Sequence, residues 1–323
     1  MGPRARAVRP AADRGLHGLS GRPLDHRLDG QRSRRVDALC SGNGGNGSPC
    51  DYLSIHQYKL AAAAATSLND AKALALQLDP DYFAQLYVNS HESCPDWQPS
   101  PDPDTKRLYL GNGYFSTWCA DLFHRRLERA ATDSRFALGE TVLTSWSRDA
   151  NLSGINAVTS LIRTEDGKDV PIKHQVFNFI ELFASLGHDY LFIPAVQRGG
   201  CRIAGFASRS ADAIRILLYA HNDGDYHSRL NPTYTVTLDL ANLPWPAAGL
   251  TEYRLDREHN SFFSLAEKCR GKEVFSDNEV AELLRLQELA PTRQAAVEPQ
   301  QGTVRLTLEV ANNGVTFVEV RPR

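Results

Sequence analysis

Apolar and polar positions follow two rhythms along this chain, and the change falls around Cys201. Before it, short runs rich in β-formers alternate with stretches whose apolar residues recur three and four apart. The runs CDYLSIHQY (50–58), FAQLYVNSHE (83–92) and FALGETVLTSWS (136–147) predict strands. Between and after them, LNDAKALALQLD (68–79), LGNGYFSTWCADLFHRRLERAA (110–131) and IKHQVFNFIELFASLG (172–187) predict helices, the first capped by Asn69 or Asp70 and the last ended by Gly187. Strands alternating with helices imply parallel pairing in an α/β layer. Beyond Cys201 the runs AIRILLYAHND, TYTVTLDLANL, TEYRLDRE, TVRLTLEV and GVTFVEVRP alternate with period two between turn residues. They predict an antiparallel β-sandwich, interrupted by one helix, SDNEVAELLRLQEL, with Ser276 or Asp277 at its cap and Glu279 in its first turn. The boundary between the two parts is expected between Pro194 and Gly200.

The first 49 residues share neither rhythm. Residues 1–37 hold nine arginines and no lysine, and a glycine-rich linker, SGNGGNGSP, follows. A secretory signal needs a continuous apolar segment, which is missing, and the acids Asp13, Asp25, Asp29 and Asp37 count against a mitochondrial transit peptide. A basic arm for nucleic acid would be expected to carry lysine and aromatic residues, and this one has neither. Residues 1–49 are expected to be a disordered leader.

Composition narrows the remainder only a little. Over 323 residues the formal net charge is -2, so the whole chain calls for neither an acidic nor a basic partner. Hydrophobic residues make up 42%, enough for a packed core, and no apolar run approaches the roughly 20 residues of a membrane helix. Six scattered cysteines form no C-x-x-C pair, which argues against a zinc site and a disulfide scaffold and leaves localisation open. No cofactor is expected.

Chemistry concentrates at the ends of the three predicted parallel strands: Ser54, His56 and Tyr58; Asn89, His91 and Glu92; Ser145 and Trp146. Ligands bind beyond the carboxyl ends of parallel strands in barrels and in open sheets alike. A carboxylate such as Glu92, closing an apolar strand, is costly to desolvate unless partnered or working. HESCP (91–95) is no zinc-protease helix, because Pro95 stands where the second histidine belongs. Nor does adjacency make Ser90-His91-Glu92 a triad, since neighbours on a regular strand point to opposite faces. Sugar chemistry fits better: glycosidases work with paired carboxylates, and Tyr58, Trp97 and Trp146 offer rings for the apolar faces of sugars. Asn278-Glu279 imitates a glycosidase acid/base pair, but it opens a helix in the β-rich half, where capping is the expected role.

Taken in order, CDYLSIHQYK, LYVNSHESCPDWQPSPD, ETVLTSWS, KHQVFNFIELFASLG, LLYAHNDGD and YRLDREHNSFFSLAEKCRG resemble glycoside hydrolase family 39, the β-xylosidases and α-L-iduronidases. The likeness runs from about Cys50 to Pro322 and is closer to the iduronidase-like branch. It implies α/β plus all-β architecture: the C-terminal part of a (β/α)8 TIM barrel over residues 50–196, then a β-sandwich over 197–323. It implies a retaining mechanism with Glu92 as nucleophile at the tip of the seventh barrel strand. His56, at the end of the sixth, would line the sugar pocket, with Tyr58, His91, Trp97 and Trp146 around it. Glu140 resembles an acidic substrate contact, and Arg163 a carboxylate-binding arginine. The family's acid/base glutamate sits in an Asn-Glu motif on the fourth strand, and nothing upstream of Cys50 resembles it; residues 1–49 contain no glutamate. The resemblance therefore implies a carbohydrate substrate, no nucleic-acid or membrane partner, and dependence on an N-terminal barrel half. The alternative is a non-catalytic, carbohydrate-binding or structural fragment.

Overall fold

Three parallel strands connected by helices precede a large antiparallel sheet, and antiparallel pairing starts at Thr159, ahead of the change of rhythm expected around Cys201. A computed structural model describes residues 52–95, 111–137, 141–143, 158–226, 228, 230, 232–243, 245–269 and 272–323. The first sheet joins β1 (Tyr52–Tyr58), β2 (Tyr87–Cys94) and β3 (Thr141–Leu143) in that order, with both pairings parallel. Helices α1 (Ala61–Leu78) and α2 (Tyr114–Thr132) provide the crossovers.

Element boundaries move where remote contacts outweigh local signals. α1 starts eight residues before Asn69, because the run from Ala61 to Ala65 has high helix propensity and the Asp223 carboxylate accepts the Ala61 N–H at 3.1 Å. Asn69 instead lies inside the helix, where its side-chain oxygen accepts from Arg126 Nη1 at 2.6 Å. α2 begins at Tyr114 rather than Leu110, since Gly111 and Gly113 have φ of 80° and 90° and the Asn112 side chain accepts the Tyr114 N–H. At Gly113 only glycine fits, because a Cβ there would stand 1.9 Å from the Asn313 carbonyl oxygen.

The expected third helix is shorter at its start. Ile172 belongs to β5 (Asp169–Lys173), which forms a hairpin with β4 (Thr159–Thr164), and α3 runs from Gln175 to Ser185. Phe136, expected to open the third strand, closes a short 3₁₀ turn (Ser134–Phe136) instead. β11 (Val274–Phe275) adds to β4 in parallel, and Ile162, Ile172, Phe262, Phe275 and Leu283 form a small core beneath this sheet.

The antiparallel part is a six-stranded sheet in the order β12 (Arg293–Val297), β10 (Ala248–Leu255), β14 (Gly314–Pro322), β8 (Ile214–His221), β7 (Cys201–Arg209), β6 (Tyr190–Arg198). A separate pair, β9 (Thr233–Leu240) and β13 (Val304–Ala311), packs over it. Ile216, Leu218, Val318 and Leu250 from the sheet meet Leu306, Leu308 and Val310 from the pair in a shared core. Two further helices, α4 (Phe263–Lys268) and α5 (Asp277–Leu286), complete the described residues. The Glu279 carboxylate reaches back to the Ser276 backbone N–H at 2.8 Å, so Asn278-Glu279 does cap a helix. Among the described residues no helix is long and apolar enough to cross a membrane.

A buried polar cluster ties α2 to the large sheet. Asp121 accepts from Arg202 Nη1 at 2.7 Å and from the Tyr219 hydroxyl at 2.9 Å, while Arg202 Nη2 donates to His124 Nδ1 at 3.1 Å. The segment YRLDREHNS, to which the sequence assigns no chemistry, is a structural knot. Asp256 accepts the backbone N–H groups of Glu258 and His259, and Gln175 Nε2 donates to the Asp256 carbonyl at 2.8 Å.

Candidate active site at the carboxyl ends of β1 and β2

The helices fix both ends of the strand pair. At the exit of β1, Trp118 Nε1 donates to the Lys59 carbonyl at 2.8 Å. At the entry to β2, buried Lys72 donates to the carbonyls of Phe83 at 2.6 Å, Ala84 at 3.1 Å and Leu86. Burial, and secondarily the charge of Arg135, holds the Lys72 ammonium below its ordinary pKa. Arg126 Nη2 donates to the Val88 carbonyl at 3.0 Å, and burial lowers that guanidinium to about 10.

The register between the strands contains one irregularity. Ser54 pairs with Asn89 and His56 pairs with Glu92, so two steps on β1 oppose three on β2. The extra residue is a bulge, which re-aims side chains. Buried Ser90 stabilises it: the hydroxyl donates to the Glu92 carbonyl at 3.3 Å and shares a hydrogen bond with the Ser93 hydroxyl. As a result His91 and Glu92 share one side of the sheet, which corrects the strict alternation expected for neighbours here.

On that side the polar groups converge. His56 Nδ1 lies 3.2 Å from Glu92 Oε2, with the two side chains 54% and 22% exposed. His91 Nδ1 is hydrogen-bonded to the Ser54 hydroxyl. The rings form a continuous row: Tyr52 to His91 at 5.6 Å, His91 to His56 at 6.1 Å and His56 to Tyr58 at 6.1 Å between centroids. Asn89, opposite Ser54, is buried and its side-chain oxygen has no hydrogen-bond partner among the described residues.

Of the expected site residues, His56, Tyr58, His91 and Glu92 are therefore brought together. Arg163 is placed elsewhere, on the β4–β5 hairpin, where its guanidinium binds the Asp169 carboxylate at 2.8 and 3.0 Å. Trp97, Glu140 and Trp146 lie outside the described residues. Tyr52 belongs to the same row, and the sequence signal that could have flagged it is the period-two series 52, 54, 56, 58. Chemically, the group offers a carboxylate with one oxygen held by an imidazole, on a wet, aromatic-flanked surface at the ends of parallel strands.

The fold is one shared with solved glycoside hydrolases. The likeness to family 39 enzymes read from the sequence is met in their fold. The bacterial orthologue of human α-L-iduronidase aligns over 90% of this chain and 53% of its own, with a TM-score of 0.71 and 17% identity. A family 39 enzyme from Xanthomonas axonopodis pv. citri aligns over 85% of this chain and 55% of its own, with a TM-score of 0.59 and 10% identity. For a monomeric β-xylosidase from Caulobacter crescentus CB15 the shares are 84% and 56%, the TM-score is 0.55 and the identity is 15%. The chain thus spans about half the length of each. No family model and no curated protein matches it.

Proposed function

We propose that this chain is the C-terminal portion of a retaining glycoside hydrolase acting on terminal sugars, a uronide or a xyloside, with Glu92 as nucleophile. The observation that carries the reading is the His56–Glu92 contact at the ends of two adjacent parallel strands. In this reading β1, β2 and β3 are the last three strands of a (β/α)8 barrel over residues 50–196, and residues 197–323 form its β-sandwich. His56 donates a hydrogen bond to one Glu92 oxygen and leaves the other to attack the anomeric carbon, giving a glycosyl-enzyme that water then hydrolyses. Tyr58, His91 and the aromatic residues Trp97 and Trp146 would line the sugar site, with Glu140 as a further contact. Arg163 would serve a substrate carboxylate only after leaving Asp169.

Retention also requires a proton donor for the leaving oxygen, on a second carboxylic acid about 5–5.5 Å away. Glu279 is unsuited to that role, because it is engaged with Lys272 and the Ser276 cap and held at about 2, chiefly by the lysine. Following the resemblance to family 39, whose acid/base glutamate sits on the fourth barrel strand, we assign the donor to an N-terminal barrel half outside this sequence. The second reading, a carbohydrate-binding or structural fragment, is favoured by the half-length alignment to the solved enzymes.

A reagent whose leaving group needs no protonation separates the two. The chain is incubated with dinitrophenyl 2-deoxy-2-fluoro glycosides of the xylo and ido-uronic series, and adducts are located by peptide mass spectrometry. The nucleophile reading expects a single adduct on Glu92, absent in Glu92→Gln. Sugar binding without any adduct would favour the fragment.

A further inference from the structure

The bulge in β2 brings Glu92 to the side that His91 already faces, yet the residue that touches the carboxylate is His56, and His91 packs against His56. We infer that His91 is a positioning residue that holds His56 in the orientation and tautomer needed to bind Glu92. The inference rests on the nucleophile reading above for its consequence in catalysis, but its geometry stands without it.

A ring that must aim a hydrogen bond needs support, and His56 receives little from a core. Its side chain is 54% exposed. What confines it are two edge-on rings, Tyr58 at an interplanar angle of 88° and His91 at 76°. Tyr58 follows on the same strand, whereas His91 comes from the neighbouring strand, on the side that Ser54 and Asn89 already share; the extra residue between Asn89 and Glu92 brings Glu92 to that same side. His91 is itself tied at both sides, by the Ser54 hydroxyl at Nδ1 and by the Tyr52 ring at 5.6 Å. The chain of support therefore runs from Ser54 and Tyr52 through His91 and His56 to Glu92. Ser90 locks it from the buried side, bridging the bulge to the Glu92 carbonyl.

Contact with an ionised carboxylate requires the neutral His56 ring to carry its proton on Nδ1. Which nitrogen of an imidazole is protonated follows the hydrogen bond it makes. An imidazole free to rotate in water prefers the proton on Nε2, so the His56 tautomer reports whether the ring is held.

The test uses the full chain labelled with ¹⁵N-histidine. Long-range ¹H–¹⁵N correlation reads the tautomer of each neutral ring, and single His→Gln variants assign the signals. In the wild type His56 is expected to populate the Nδ1–H tautomer predominantly. In His91→Ala, and to a smaller degree in Ser54→Ala, it is expected to shift to an Nε2–H majority, while the buried His124 and His174 signals stay in place as a check on folding. Should His91→Ala disturb those buried signals, Ser54→Ala, which keeps the ring, decides. An unchanged Nδ1–H population in the folded variants, or an Nε2–H wild type, would overturn the assignment. Glu92 labelling supplies the catalytic arm: at saturating reagent His91→Ala is expected to slow adduct formation about ten-fold or more, since small misplacements of a reacting group are costly. Failure of wild type to form an adduct while His56 still responds to His91 refutes the hydrolase reading and upholds the positioning role.

Discussion

Replacing Asp121 with asparagine should cost this protein more stability than any surface substitution, and the size of the loss follows from the groups it leaves behind. Asp121 is 1% exposed and serves three donors, Arg202 at 2.7 Å, Arg125 at 2.8 Å and the Tyr219 hydroxyl at 2.9 Å. Asparagine is close to isosteric but neutral, and one of its two terminal atoms is a donor that cannot accept from those groups. Arg202, itself buried, then loses its buried counter-charge and keeps the Tyr219 hydroxyl, His124 and the half-exposed Glu128 at 3.6 Å. Leaving such a charge uncompensated costs about 3–5 kcal/mol. For a unit of this size each kcal/mol moves the melting temperature by about 2–4 °C, so a fall of roughly 6–20 °C is expected. Urea titration followed by circular dichroism provides the measurement, read as a shift of midpoint at constant slope. The double variant Asp121→Leu/Arg202→Met should be less destabilised than Asp121→Asn alone, because removing both charges removes the desolvation cost with them. A loss below about 1 kcal/mol for Asp121→Asn would refute the claim that this cluster joins α2 to the sheet.

Two other outcomes are expected from single positions. Gly113→Ala should destabilise by at least about 3 kcal/mol in the same titration, combining a positive φ with a Cβ 1.9 Å from the Asn313 carbonyl oxygen. Complete burial lowers His174 to about 4, so the folded chain resists binding a proton that the unfolded chain takes up near pH 6.5. Its contribution is whole above pH 6.5 and is lost as pH falls toward 4, amounting to on the order of 3 kcal/mol. His124 adds the same sign, lowered by burial and then by Arg202. Stability measured from pH 7 to 4 should therefore fall less steeply in His174→Gln than in wild type; equal slopes would dismiss the linkage.

Much of the site was legible because period-two and helical spacing are local signals. Glu92 stands out from its place at the end of an apolar strand, and His56 and Tyr58 from theirs at the end of the predicted strand before it. What alternation could not supply was the bulge. One unpaired residue between Asn89 and Glu92 reverses the facing of Glu92, and the serine that stabilises it carries no distinctive signature. The start of α1 was missed for a related reason, since its cap is a carboxylate 162 positions away. The resemblance gives Arg163 as a carboxylate-binding arginine, yet Asp169, six positions on, is brought opposite it by a hairpin that the charged stretch RTEDGKD conceals.

The two kinds of support at the site bear on what a complete enzyme would require of its other half. The backs of β1 and β2 are fixed by buried groups within this chain: Trp118 on the Lys59 carbonyl, Lys72 on three carbonyls before β2, and Arg126 on Val88. Each binds backbone, so the strands hold position whatever side chains stand on the open face. The front carries the row from Tyr52 to Tyr58, with His56 more than half exposed. A carboxylate there can be oriented, but Glu92, 22% exposed, keeps part of its hydration, and hydration weakens a nucleophile and screens its electrostatics. Under the proposed function, the missing half would therefore contribute two things at once, the acid that protonates the leaving oxygen and the wall that excludes water from Glu92. If so, the activated fluoroglycosides should label the isolated chain slowly, and addition of the complementary half should accelerate that labelling even though the reagent needs no acid. Acceleration of aryl glycoside turnover without faster labelling would instead mean that the second half supplies the acid alone.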